Sequence, residues 1–247
     1  MNKITLLSSV VALTLTSAAA DAKISEADAA KLKSELTPLG AVKAANKDGS
    51  IPAWTGGITS APAGYTVGMH HPDPFSGDKV LYTVTNANKD KYAEFLTPGI
   101  TKMFETYPDT YKMDIYQSRR TASFPKYVYD ATIENATRAE LVEGGNGIKG
   151  AAIGVPFPVP ANGLEAIWNH ILRFRGEQTT RNGGQAAPTA DGDFTYIGFD
   201  EAISIEYSKQ DATPAALEES NILFRFKQNV TQPARLAGTA LLVHETM

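Results

Sequence analysis

Apolar positions keep a helical spacing in several stretches before residue 176 and alternate with polar ones in most stretches after it. The strongest helical stripe starts at Gly163. Leu164, Ile167, Trp168, Ile171 and Leu172 fall at i, i+3, i+4, i+7 and i+8, and Phe174 extends the stripe. Glu165, Asn169 and Arg173 fall on the other face. A helix to Arg175 is predicted, its stripe packed against something apolar. Just ahead of it, Pro156, Pro158 and Pro160 fix every second φ and remove every second N–H donor. That stretch reads as a stiff extended segment and not as a central strand.

Local signals place the other elements. Ser25-Glu26-Ala27-Asp28 has the capping-box form and predicts a helix to about Leu36, stopped before Pro38. Residues 86–96 read as a helix. Thr97-Pro98 is an N-cap followed by Pro at N1, opening another helix to about Tyr107. Residues 111–116 alternate as a strand. Phe124-Pro125 leads into a helix through Tyr127, Val128, Ala131 and Ile133. A short strand at 139–143 precedes a glycine-rich turn at 144–150. Later, residues 179–181 precede a turn at Gly183-Gly184, and 194–197, 202–207, 221–227 and 236–245 read as strands. From 46 to 78 the chain is irregular and dense in Gly, Pro, Asp and His, yet it holds Trp54, Tyr65 and Phe75. A solvated linker has little use for these, so an ordered loop pinned by the aromatics is expected.

Helices first and strands late make the fold class α+β, with an antiparallel sheet. One domain over residues 23–247 is expected: a helix and long loop at 23–80, a helical part at 81–176 and a β-rich part at 177–247. The final strand stops at Met247 without a tail. It is either a true edge strand or the cut end of a longer protein, and the fragment is the preferred reading.

Composition narrows the function classes. Of 247 residues, 43% are hydrophobic, which supplies a core. The formal net charge is −4, and residues 1–22, with one Lys and one Asp, do not change it. Without a basic block, nucleic acid is a poor partner. The absence of cysteine excludes disulfides, thiolate metal sites, a Cys nucleophile and an acylated lipoprotein anchor. Residues 1–22 read as a secretory signal: Lys3, an apolar run at 4–16 too short to span a bilayer, then Ala20-Asp21-Ala22. Cleavage after Ala22 is expected, with Ala18-Ala19-Ala20 a rival site. No later stretch is apolar enough to span, and a periplasmic location is expected for the mature chain.

Candidate chemistry is sparse. Gly145-Asn146-Gly147-Ile148-Lys149-Gly150 matches G-x-G-x-x-G, but dinucleotide binding needs a helix to open there, and the prolines that follow forbid one. A hairpin-type turn is the reading retained. His70, His71 and Asp73 bring imidazole and carboxylate together, as in a metal-dependent hydrolase. Adjacent histidines chelate one ion poorly, and capping of loop backbone is the plainer role. Glu165 and His170 are five apart, about 140° around a helix, which is not the zinc-helix spacing. His170 reads as a hydrogen-bonded residue at the rim of the core. No G-x-S-x-G elbow is present. No catalytic residue, metal site or cofactor is assigned. Arg119-Arg120 and Arg173-x-Arg175 suit either an anionic headgroup or ion pairs with the chain's own carboxylates. The aromatic residues of the second half stand out: Phe157, Trp168, Phe174, Phe194, Tyr196, Phe199, Phe224 and Phe226. A curved sheet faced with them encloses an apolar ligand or makes an ordinary dry core, and sequence does not separate the two.

Four long runs carry a resemblance: 46–57 (NKDGSIPAWTGG), 70–79 (HHPDPFSGDK), 107–120 (YPDTYKMDIYQSRR) and 154–176 (GVPFPVPANGLEAIWNHILRFRG). The chain resembles the DUF1329 family of proteobacterial secreted proteins, whose members are considerably longer and continue into more sheet. That family is similar to outer-membrane lipoprotein-sorting proteins of the LolA/LolB type. The resemblance implies an incomplete antiparallel β-barrel, helices packed on its concave side, and a cavity that takes acyl chains. It supplies no catalytic residues. Family members are often encoded near RND-type transporters, which implies a role in envelope transport. The expected function is a periplasmic carrier for an apolar or amphipathic ligand such as a lipid, its cavity lined by Phe157, Trp168, Ile171, Leu172, Phe174, Phe194, Tyr196, Phe224 and Phe226. An accessory subunit of an RND-type transporter is the other reading beside the hydrolase.

Overall fold

The computed structural model describes residues 24–246, so the signal expected at residues 1–22 lies outside the described residues. α1 (Glu26–Ala30) begins at its capping box: the Ser25 hydroxyl accepts the Asp28 N–H at 3.1 Å and donates to the Asp28 carboxylate at 2.8 Å. It is shorter than predicted. A 3-10 turn over Lys31–Lys33 closes it, and Leu36 then bridges to Val42.

The irregular stretch from 46 to 78 is pinned as expected, but by two of its three aromatics. The Trp54 indole N–H donates to the Ala122 carbonyl at 2.9 Å, and Phe75 lies 4.1 Å beneath the Arg119 guanidinium. Tyr65 meets His71, a neighbour within the same loop, with ring centroids 5.5 Å apart.

β1 (Tyr82–Val84) pairs antiparallel with β2 (Met113–Ile115). Between them, the helix expected at 86–96 is a 3-10 segment, Lys89–Phe95, broken at Tyr92. None of its residues is buried, so no packed face repays α-helical order there. α2 (Pro98–Thr106) follows its Thr97 cap and Pro98 as read.

α3 (Lys126–Arg138) buries Val128, Ala131, Thr132, Asn135 and Ala136, spaced i, i+3, i+4, i+7 and i+8. Tyr127 and Ile133 are only half-buried. The apolar pattern misplaced this face because two of its members are polar. Asn135 is fully buried, and its amide groups satisfy the backbone of the segment that crosses α3. It donates to the Ala152 carbonyl at 3.0 Å and accepts the Ala152 N–H at 3.2 Å. At Gly154 the crossing is so close that a Cβ would lie 2.6 Å from the Thr132 backbone nitrogen. β3 (Glu140–Val142) and β4 (Gly147–Lys149) form the hairpin that the G-x-G-x-x-G run turns out to serve.

α4 (Gly163–Ile171) is capped by Asn162 and ends four residues before Arg175. Its buried face is Glu165, Trp168 and Leu172, rotated from the predicted stripe. Leu164 and Ile167 are 50% and 57% exposed. Hydrogen bonds decide the rotation. The Trp168 indole N–H donates to the Gly145 carbonyl at 3.0 Å, and the Glu165 carboxylate accepts the Ala161 N–H at 2.6 Å. Asn169 accepts the Phe157 N–H at 2.9 Å and donates to the Phe157 carbonyl at 2.6 Å. The polar residues assigned to the outer face thus hold the proline segment inside.

The last part is a four-stranded antiparallel sheet in the order β5-β6-β7-β8: β5 (Gln178–Pro188), β6 (Phe194–Ser204), β7 (Phe224–Gln232) and β8 (Ala240–Glu245). The turn expected at Gly183-Gly184 is absent, and β5 runs straight through both glycines. The Tyr196 ring covers Gly184, where a Cβ would lie 2.3 Å from it. Stretches 194–197 and 202–207 prove to be mostly one strand, and 236–239 lies ahead of β8. α5 (Pro214–Ser220) stands between β6 and β7.

The main core joins Phe157, Trp168 and Leu172 to Ile205, Tyr207 and Leu223 at one end of the sheet. The helices therefore pack against an end of the sheet and not across its face, which corrects the expected arrangement on a concave side. The sheet is mixed with helices and open, not a closed barrel. No helix among the described residues is long and apolar enough to cross a membrane.

Candidate functional site

Strand register sets what the sheet presents. Alternate residues of a strand face the same side. Thr179, Ile203, Phe226 and Val243 are cross-strand neighbours in one row, and Arg181, Glu201, Gln228 and Leu241 in the next. An apolar row thus lies beside a polar one on a single face. Glu201 is nearly buried; it takes an ion pair from Arg181 and a 2.7 Å hydrogen bond from the Gln228 amide. The chain leaving α4 brings Arg173 and Arg175 to the same face. Together Arg173, Arg175, Thr179, Arg181, Glu201, Ile203, Phe224 and Phe226 line a groove of about 430 Å³. Its floor is apolar and its rim cationic, the arrangement that suits a ligand with two unlike ends.

Of the nine residues expected to line a cavity, the groove uses Phe224 and Phe226. Phe157, Trp168 and Leu172 are core, with Ile171 packed at its margin. Phe174 meets Phe124 and Tyr127 edge-on at 6.1 and 6.0 Å. Phe194 and Tyr196 lie on the opposite face from Phe226 by strand parity, 60% and 43% exposed. Sequence reasoning grouped these residues by their large apolar, mostly aromatic side chains, whereas the sheet and core separate them. It missed Thr179, Arg181, Glu201 and Ile203. The signal available was a pair of opposite charges at inward positions of neighbouring strands, visible only once their register is known.

The other candidates resolve by geometry. The Asp73 carboxylate accepts the Phe75 N–H at 2.8 Å, and His71 packs on Tyr65. No group of three or more His, Asp or Glu poised for a metal ion is found among the described residues. His170 is exposed, contrary to the expected core rim, and its carbonyl accepts from Arg173 at 2.5 Å. Arg119 is ion-paired with Asp78, and Arg120 donates to the Lys43 carbonyl at 3.2 Å. Arg173 and Arg175 make no ion pair among the described residues. Burial, and after it the neighbouring Arg173 charge, hold the Arg175 guanidinium below its ordinary pKa.

Residues 83–247 match the profile of a family described as a protein of unknown function, DUF1329. The chain belongs to the DUF1329 family. Every residue of the groove lies inside the matched region. An uncharacterized protein of Pseudomonas aeruginosa is 45% identical over 245 residues, covering 99% of this chain and 53% of that protein. This DUF1329 chain therefore spans about half the length of the curated relative it matches. No solved structure gives a significant match.

Proposed function

We propose that this DUF1329 chain binds and carries an amphipathic ligand, such as a lipid, in the periplasm. The observation that carries the reading is the groove in which Ile203, Phe224 and Phe226 lie beneath Arg173 and Arg175. Burial of an alkyl chain on that floor supplies about 0.8 kcal/mol per CH₂, against the cost of immobilising the ligand. The resemblance to LolA/LolB-type proteins supports reading the open sheet as part of a curved, incomplete barrel. The secretory pattern of residues 1–22 supports the location. The chain spans half of its relative, so the carrier role of the whole protein and its work beside an RND-type transporter belong to this proposal too. Delipidated protein is expected to take up a fluorescent fatty-acid probe with saturable stoichiometry. Phe226→Ser should weaken that uptake by about tenfold, as expected from removing a buried aromatic contact. Absence of saturable uptake sinks the reading.

A further inference from the structure

The apolar floor indicates where an alkyl chain lies but not which head group accompanies it. Three guanidinium groups reach the groove, and they are differently engaged. Arg181 is neutralised by Glu201. Arg173 donates to the His170 carbonyl at the end of α4, which uses little of its fork of five N–H donors. Arg175 has no carboxylate or carbonyl acceptor for its side chain among the described residues. Glu177, the carboxylate nearest to it in sequence, is turned to the Gln210 N–H at 3.3 Å. The groove therefore holds three cations against one carboxylate. Two of those cations sit side by side, and neither is ion-paired.

Placing like charges together at a partly desolvated site is unfavourable, and a bound anion reverses the sign of that cost. Arginine forks match carboxylate and phosphate oxygens in pairs, which makes them suited to this task. We propose that Arg173 and Arg175 form an oxyanion clasp that takes the carboxylate or phosphate of an anionic amphiphile whose chain lies over Ile203, Phe224 and Phe226. The clasp deepens the binding function proposed above and rests on it. Arg181 stays with Glu201, so Glu201 limits the groove to one anionic group by keeping the third cation occupied.

Equilibrium dialysis of the purified, delipidated protein tests the clasp, with palmitate, hexadecanol and inorganic phosphate as separate probes. Palmitate and hexadecanol share a chain length and differ in head-group charge. Palmitate is expected to bind about tenfold tighter, the worth of a charge-assisted hydrogen-bonded contact. Arg175→Gln should abolish most of that preference, weakening palmitate far more than hexadecanol. Arg173→Gln, likewise at an exposed position, should do the same and guards against a folding defect peculiar to the Arg175 variant. Equal binding of the two amphiphiles, or a preference that survives both substitutions, overturns the clasp and leaves the binding function standing. Saturable phosphate binding that needs Arg175, with neither amphiphile bound, keeps the anion site, assigns it to a free anion and overturns the carrier reading. Binding of none of the three overturns both.

Discussion

Asn135 shows how much one polar side chain can organise. It is buried on α3, donates to the Ala152 carbonyl, accepts the Ala152 N–H and receives Arg138 at 3.0 Å. Tyr207 reinforces the same segment by donating to the Gly154 carbonyl at 2.7 Å, and burial pushes its phenol pKa upward, so it stays a donor. Asn135→Ala strands these groups without water, and a loss of about 3 kcal/mol is expected in urea unfolding. A second residue-scale expectation concerns pH. Hydrogen bonding from Arg119, and further from Gln117, holds the Asp78 carboxyl below its ordinary 3.8. A depressed folded-state pKa means the stabilisation is complete above the ordinary value and is lost as pH falls through the folded one. Asp78→Asn should therefore flatten the acid limb of a melting-temperature profile below about pH 4 and leave its slope at neutral pH unchanged. An unaltered acid limb would remove Arg119–Asp78 as the anchor of the loop.

At the scale of elements, α4 is the instructive case. Its apolar periodicity is genuine, yet Leu164 and Ile167 face outward while Glu165 and Asn169 hold the proline segment. Substitution discriminates the two rotations. Leu164→Glu and Ile167→Glu should each shift stability by about 0.5 kcal/mol or less, the usual range for surface sites. Leu172→Ala should cost about 2–5 kcal/mol, as buried leucines do. Reversal of that order, measured by denaturant unfolding, would restore the predicted stripe. The Gly154 crossing makes a comparable claim about the α3 contact. Gly154→Ala places a methyl against backbone atoms of α3 that cannot swing aside, and an overpacking loss of about 1–3 kcal/mol is expected.

For the molecule as a whole, the groove lies against the core end of the sheet, yet core and groove are built from largely different side chains and share Ile203 and Phe224. Stability and binding should therefore separate. Trp168→Ala should lower stability by about 3–5 kcal/mol. Phe226→Ser should reduce probe uptake with a much smaller change in melting temperature. Parallel losses in both assays would mean that groove and core are one structure. The sequence by itself determined what local chemistry can specify. Ser25 and Thr97 mark helix starts through their caps, Pro156 to Pro160 bar a helix through fixed φ, and alternation marks the late strands. It also placed the chain beside DUF1329 through its long runs. Tertiary structure alone decided which face α4 buries, since a distant carbonyl at Gly145 and a backbone pair at Phe157 outweigh its apolar stripe. It alone carried β5 through two glycines, because the Phe199 and Tyr196 rings of the next strand lie over Gly183 and Gly184. It also assembled the groove, since the neighbourhood of Arg175, Arg181, Glu201 and Phe226 is a property of strand register. Register is set by pairing between residues far apart in the chain, and no local pattern records it.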